Sequence, residues 1–349
     1  MPSKRVVIAL CVASLLALPA AALASNGGVA PPPSDTPSGD AIREVYWVVL
    51  GVAGVVFVLV EASLVIFIVR FRRRPSTPAE TEGPQIHGNT RLEIAWTIIP
   101  AVILAGLAAF TFVKVSDVRA NPTAAEKAAI ERAGGGTIEV TAHQFYWQYT
   151  YPNGAISMDT LYVPVGRTTT LQIKTADVNH SWWVPALTGK MDAVAGNTNT
   201  LNFKPRSTGT YEGHCAELCG IQHAVMSTTV KVLSEDDYQA WLRDNAPGTQ
   251  DQIALGKAEW GAVCAKCHNL DGSGLVGPQI AGNGTILQLQ SLKNLLLSGQ
   301  DLPTFDGYMP AVGAGWQDRQ FEALLAYIKS NKQLSTAPTP GTGGSAGGG

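Results

Sequence analysis

Two apolar stretches, Val45 to Val69 and Ile94 to Val113, constrain this chain more than any other feature. Each is about as long as the roughly 20 residues that a helix needs to cross a bilayer. In hydrocarbon a lone segment can satisfy its backbone polar groups only as a helix. Arg70, Arg72, Arg73 and Arg74 follow the first stretch, and basic residues accumulate on the cytoplasmic side. Residues 45–115 are therefore expected to form a membrane hairpin with both ends outside. Everything after about Lys114 then faces the periplasm or its equivalent. Buried helices of a soluble protein would not need this charge asymmetry.

Upstream, Lys4 and Arg5 precede an apolar run from Val6 to Leu18, and Ala22-Leu23-Ala24 offers small residues for cleavage. The run is too short to span a bilayer and has the layout of a secretory signal over residues 1–24. Cys11 lies within it as an apolar filler, lost with the peptide. Residues 25–44, with three consecutive prolines, read as a mobile spacer, and the Gly- and Ser-rich residues 334–349 as a disordered tail. Charged residues make up only 15% of the chain and the net charge is −2, so nothing suggests a nucleic-acid partner.

After a connector over residues 116–136 the pattern changes to period-two alternation, in Thr137 to Thr141, Thr170 to Lys174 and Thr228 to Val232, with a turn signal at Pro152-Asn-Gly154. An antiparallel sandwich is expected over residues 137–246. Ser234 is placed to cap a short helix that leads into an Asn245-Ala-Pro-Gly248 linker.

Chemistry concentrates in Cys215-Ala-Glu-Leu-Cys219-Gly-Ile-Gln-His223-Ala-Val-Met226. Cys219, His223 and Met226, with a His from an earlier strand, would make the His₂Cys set with a weak Met of a mononuclear copper site. Cys215 is one sulfur more than that site needs. A second thiolate can bridge two coppers, so the loop reads as a binuclear centre with shared sulfurs and one His per metal. His180, in Asp177-Val-Asn-His180, is the candidate for the second imidazole. A Cys215–Cys219 disulfide is the plainer alternative in an oxidising compartment, but it leaves His223 and Met226 unexplained. His143 and His214 would be surplus and are expected to be structural or to support a ligand without binding metal.

A second site announces itself in Cys264-Ala-Lys-Cys267-His268, the C-x-x-C-H spacing of covalent haem attachment. No Cys or His pair follows to complete a zinc site. His268 is the last histidine and Met309 the one methionine after it, which makes Met309 the natural sixth ligand, a thioether that raises the reduction potential. Gly277-Pro278 resembles the turn whose carbonyl accepts the His268 N–H. Apolar positions from Gln317 to Lys329 match a closing helix, and this unit is expected over residues 250–333.

The copper loop, the His180 segment and Lys190-Met191-Asp192 resemble the CuA site of cytochrome c oxidase subunit II, from about Val45 to Leu233. The resemblance implies six copper ligands: His180, Cys215, Glu217 through its backbone carbonyl, Cys219, His223 and Met226. The residues after it resemble a class I cytochrome c, and the combination is that of caa-type oxidases, in which this subunit carries its own haem c. The implied fold is multi-domain: a two-helix transmembrane hairpin, an all-β cupredoxin-like sandwich and a small all-α cytochrome c domain. In His87 to Pro100, the acid matching Glu93 stands in the family at the mouth of a proton channel of the catalytic subunit. A first-turn carboxylate complementing the helix dipole is the other reading of Glu93. The family resemblance also implies Trp where Phe145 stands, at the surface through which a soluble cytochrome reaches copper. A haem on a short linker, at an effective concentration of roughly millimolar, would remove much of the need for that Trp.

Neither membrane stretch contains a histidine, and three of the chain's six are committed at the sites above. An oxygen-reducing haem and copper pair needs several imidazoles. The resemblance therefore implies an electron-input subunit working beside catalytic subunit I and other oxidase subunits. Its donor would be a cytochrome c or an upstream quinol–cytochrome c reductase, and its place a bacterial inner membrane with both cofactor domains on the outer side. A membrane-anchored electron carrier, or the copper subunit of a nitric oxide reductase, are the alternatives.

Overall fold

The computed structural model describes residues 30–72, 85, 87–132, 136–302 and 307–336. The expected signal peptide with Cys11, Arg73, Arg74 and the end of the tail lie outside these residues. They fall into two units, one holding the two long helices and the other the rest of the chain together with Ser34–Gly39.

In the first unit the apolar stretches form α1 (Pro37–Arg70) and α2 (Thr90–Arg119). Their most apolar windows have mean hydropathies of 2.8 and 2.2, with none of either window buried. Side chains such as Phe57, Ile68, Val102 and Phe112 stand exposed along them. A helix apolar all round, with no protein covering it, is one that lipid covers.

The second unit begins with a short stretch that departs from the expected loose spacer. Asp35 is bound to the sandwich: its N–H donates to the Ala186 carbonyl at 2.9 Å, and its Oδ2 accepts from Tyr211 Oη at 2.7 Å and Ser207 N at 3.0 Å. Thr36 and Ser38 are fully buried. Proline and polar composition announced a lack of core here, but one carboxylate placed against open backbone N–H groups is enough to order the segment. The connector likewise carries α3 (Ala124–Arg132).

Ten strands then build two five-stranded sheets. In chain order they are β1 (Ile138–His143), β2 (Tyr146–Thr150), β3 (Ile156–Met158), β4 (Thr160–Pro164), β5 (Thr169–Thr175), β6 (His180–Trp183), β7 (Met191–Ala193), β8 (Asn199–Phe203), β9 (Gly209–Cys215) and β10 (Ser227–Leu233). The sheets run β3-β2-β1-β5-β8 and β4-β10-β9-β6-β7. Alternation places Leu171 and Ile173 inside and Gln172 and Lys174 outward on β5, and Val230 and Val232 inside on β10. Trp147, Tyr149, Leu161, Trp182 and Phe203 fill the space between the sheets. The expected antiparallel arrangement is corrected at two places, because β1 pairs with β5, and β4 with β10, in parallel. Period two is common to both kinds of half-buried strand, so the pattern alone does not separate them.

Ser234 caps α4 (Glu235–Asp244), its hydroxyl accepting from Asp237 N at 3.2 Å. The haem-motif region follows: α5 (Gln252–Glu259), a π-turn (Trp260–Cys264), α6 (Ala265–His268), α7 (Leu289–Ser298), the strand pair β11 (Gln300–Leu302) and β12 (Gly307–Met309), α8 (Asp318–Ser330) and α9 (Lys332–Ser335). Helices α5 and α8 cross at Gly256, where an added Cβ would lie 2.0 Å from the Ala323 carbonyl oxygen, so only glycine permits the approach. Within the expected tail, Leu334 is buried in the core of the helical region.

That core is shared. Tyr146, Ile156 and Met158 belong to β2 and β3, yet they are buried among Trp260, Leu292, Leu296, Phe321 and Ile328 of the helical region. Trp316 Nε1 donates to Tyr146 Oη at 2.8 Å, and Tyr146 Oη donates to the Val312 carbonyl. Gln320 Nε2 reaches Gln148 Oε1 at 3.2 Å, and the linker residue Gln250 donates to the Ile156 carbonyl at 3.3 Å. The helical region is therefore fixed on the sandwich and does not swing on a tether.

Candidate metal centre

Strand pairing assembles the first site. β6 and β9 are neighbours with Trp182 opposite Cys215, which brings the start of β6 beside the loop that leaves β9. The Cys215 N–H donates to the Met226 carbonyl at 2.8 Å, and Ala216 N to Ser181 O at 2.8 Å, closing the loop over residues 216–226 between the last two strands. A single 3-10 turn at His223–Val225 faces the His223 ring inward.

The donor atoms converge. His180 Nδ1 lies 3.9 Å from Cys215 Sγ, and Cys215 Sγ lies 3.2 Å from the Glu217 carbonyl. Cys219 Sγ lies 3.6 Å from His223 Nδ1 and 3.7 Å from Met226 Sδ. The His180, Cys215 and Cys219 ligand atoms all fall within 4.8 Å of one another. The two cysteines are free thiols, so the disulfide alternative is not what the structure holds. His180, Cys215, Cys219 and Met226 are buried, while the Glu217 side chain is exposed and only its carbonyl faces inward.

The electrostatics favour a bound cation. The Cys219 thiol beside it, helped by the His180 ring and backbone N–H groups, holds Cys215 well below the usual thiol range against the opposing effect of burial. Cys219 is pushed up by that neighbouring thiolate and by burial. Two adjacent thiols cannot both carry charge without a compensating cation between them. His180 Nε2 donates to Asp177 Oδ1 at 2.8 Å, which fixes the tautomer and leaves Nδ1 free on the sulfur side. Asp177 also accepts from Gln144 N at 2.7 Å, and Gln144 Nε2 donates to the Cys219 carbonyl at 2.6 Å. Asp177 and Gln144 were not anticipated; the short Asp-x-x-His spacing was the available signal for the former.

His143 and His214 take no part. His143 is buried and stacked on Tyr146 with ring centroids 4.6 Å apart, and burial lowers its pKa to about 4. His214 is exposed on β9 with Trp183 at its edge.

At the second site His268 is buried and its Nδ1–H donates to the Pro278 carbonyl at 2.7 Å. That bond leaves Nε2 for a metal, and burial keeps the ring in the neutral, ligating form. Gly277 lies flat against the ring; a Cβ there would come within 2.6 Å of His268 Cε1. Cys264 and Cys267 are free thiols, half-buried, on the adjoining turns. Met309 ends β12, half-buried against the core around Trp260 and Phe321. The donors gathered around His180, Cys215 and Cys219 fit a soft-metal centre, and the buried His268 beside two free thiols fits a covalent haem. Glu93 belongs to the other unit, at the first turn of α2. There its Oε1 accepts from Asn89 N at 3.0 Å, the arrangement of a helix-start carboxylate.

The similarity of the chain to known proteins agrees with this geometry. Residues 24–113 match the family profile described as cytochrome c oxidase subunit II, transmembrane domain, and residues 155–233 that of its periplasmic domain. Residues 251–328 match the profile of cytochrome c oxidase, cbb3-type, subunit III. Cytochrome c oxidase subunit 2 of Alkalihalophilus pseudofirmus is 33% identical over 301 residues, covering 81% of this chain and 85% of that protein. The chain belongs to the cytochrome c oxidase subunit II family. Its counterpart from Cereibacter sphaeroides is 32% identical over 64% of this chain and 82% of its own length. The crystal structure of the periplasmic domain of this subunit from Bradyrhizobium japonicum is 31% identical, covering 31% of this chain and 91% of that one, with a TM-score of 0.31. As a member of the family, the chain is a membrane-anchored component of a haem-copper oxidase, with a cytochrome c domain fused behind the copper domain.

Proposed function

We propose that the chain is the electron-input subunit of a caa-type oxidase. It takes electrons from a cytochrome c donor and delivers them to catalytic subunit I, which reduces oxygen to water with proton pumping. The observation that carries this reading is that a cluster of soft donors and a haem-attachment motif lie in one compact unit, where Gln222 of the copper loop donates to the Lys266 carbonyl at 3.4 Å. When bound, a binuclear copper pair and a covalent haem c supply reversible one-electron chemistry at these two places.

His180, Cys215, Cys219, His223, Met226 and the Glu217 carbonyl would hold the coppers. Cys264 and Cys267 would form the thioethers, and His268 and Met309 would ligate the iron. The chain's own contribution is to keep these donors still. His180 is held by Asp177, His268 by Pro278, and the copper loop by the β9–β10 ladder. Ligands that barely move between oxidation states keep reorganisation small. Burial of His180, Cys215 and Cys219 keeps water from the sulfurs.

Arg70 at the end of α1 and Arg72 just after it support a cytoplasmic hairpin turn, and the cofactor domains would then lie on the periplasmic side of the inner membrane. Glu93 would then open toward proton uptake at the surface shared with subunit I. Metal and haem analysis of the purified complex tests the reading: two coppers in this subunit beside one haem c, with a seven-line copper resonance in electron paramagnetic resonance. One copper with a four-line signal would contradict it.

A further inference from the structure

Lys266 occupies the place just before the second cysteine of the haem motif Cys264-Ala-Lys-Cys267-His268. Its ammonium leaves the helical region altogether. It donates to the Phe145 carbonyl at 2.8 Å and to Asp159 Oδ2 at 2.6 Å, both on the sandwich. Its own carbonyl accepts from Gln222, the residue before the copper-loop His223. Three contacts therefore converge on one residue that adjoins Cys267 and lies two from His268.

The anchor is built rather than incidental. Asp159 Oδ1 accepts from Trp147 N at 2.9 Å, and its backbone carbonyl accepts from Thr229 N at 2.8 Å and Thr228 Oγ1 at 3.1 Å. The residue stands at a positive φ of 52° in the corner between β3 and β4. The Lys266 and Asp159 side chains are only 14% and 20% exposed. An ion pair in open water contributes little, whereas removing one partner of a sequestered pair strands the other charge away from water. The apolar contacts of Tyr146, Ile156 and Met158 hold the two regions together but are not directional. Charge-assisted hydrogen bonds set the register.

Phe145 is only 9% exposed, and its ring packs against Gly220, where an added Cβ would sit 3.0 Å away. At the position expected to receive an outside cytochrome, the ring is therefore packed into the sandwich and the copper loop, and the backbone carbonyl is taken by Lys266 of the haem motif. We propose that Lys266 is a positioning residue for electron transfer, holding the haem-attachment turn over the copper loop in a single register through Asp159 and the Phe145 carbonyl. The proposal rests on the electron-input reading above. The step it serves moves one electron from ferrous haem, which becomes ferric, to the oxidised copper pair, with no bond made or broken.

The test uses the complete oxidase complex with both cofactors loaded. Lys266→Met keeps the aliphatic stem and removes the charge; Asp159→Asn removes the same ion pair from the sandwich side with little change of shape. The haem absorption, the copper resonance pattern and both reduction potentials serve as controls and should stay as in the parent protein. An electron placed on the haem by a light flash should then reach copper about tenfold more slowly in both variants, the factor that about 1.4 kcal/mol represents. The relaxation enhancement that ferric haem imposes on the copper resonance should weaken with it. Lys266→Arg, which keeps the charge, should recover most of both. Parental rate and relaxation in Lys266→Met and Asp159→Asn would overturn the proposal, and so would a Lys266→Arg variant as slow as Lys266→Met. If the parent complex shows no haem-to-copper transfer after the flash, the electron-input reading itself falls, whatever the variants do.

Discussion

Replacing Tyr146 by Phe probes whether the cytochrome region and the copper sandwich are one body. Tyr146 lies on β2 but is fully buried in the helical core, where its hydroxyl accepts from Trp316 Nε1 at 2.8 Å and donates to the Val312 carbonyl. Phe keeps the ring and its packing, so the loss is confined to one oxygen. It leaves an indole N–H and a carbonyl buried without partners, since Trp316 and Val312 are 8% and 9% exposed. Each unsatisfied group costs about 1–3 kcal/mol, which sums to roughly 3 kcal/mol at the low to middle part of that range. For a body of this size, a loss of about 1 kcal/mol lowers the melting temperature by about 2–4 °C, so a fall of about 6–12 °C is expected. Scanning calorimetry of the full chain in detergent, with both cofactors present, reads it directly. The transition of the copper domain should move together with that of the haem domain. A shift under about 2 °C would mean that the hydroxyl is hydrated and the two domains are separate bodies, refuting the shared core.

Other perturbations follow from individual contacts. Met309→Ala should abolish the weak far-red charge-transfer band of thioether-ligated ferric haem and lower the reduction potential, with carbon monoxide binding more readily; an unchanged band would remove Met309 from the ligand set. Glu259 is buried with no hydrogen bond of ordinary geometry to its carboxylate oxygens among the described residues, and burial raises its pKa well above the ordinary carboxylate value, with the nearby Gln320 side chain and Arg319 opposing. The native state therefore keeps a proton that the unfolded chain releases above about pH 4.3, so stability falls as pH rises from there toward the native pKa, by up to about 1.4 kcal/mol per pH unit. Glu259→Gln should flatten that slope in urea titrations between pH 5 and 7, and parallel slopes for the two proteins would contradict it. Gly277→Ala, which presses a methyl to within 2.6 Å of the His268 ring, should weaken the Pro278 hydrogen bond and broaden the haem's axial-ligand resonances; an unaltered haem spectrum would show that the loop yields freely.

Much of this architecture was legible because its chemistry is local. The copper loop carries five of its six donors within twelve residues, and the haem motif three attachment residues within five. His180 was accessible for a different reason: the β6–β9 pairing that delivers it follows from any sandwich in which the loop joins the last strands. The long-range polar contacts were not legible. Lys266 and Asp159 are 107 positions apart, and Tyr146 and Trp316 170 apart, with no pattern linking either pair. A Pro-Gly linker indicates that the chain turns and says nothing of which residues pack afterwards. The spacer expectation failed at Asp35 in a similar way, through a single acceptor meeting open N–H groups. Where period two is the only signal, as in β1 and β5, strand direction depends on the connections and not on the side chains.

The central claim is that electrons reach copper through the chain's own haem. It is tested most directly by mixing the oxidised complex with a reduced cytochrome donor in a stopped-flow instrument and following the haem c and copper absorptions separately. The account predicts that haem c is reduced first, with copper following at a rate independent of donor concentration. Copper reduced at a rate proportional to donor, while haem c lags behind it, would contradict the account.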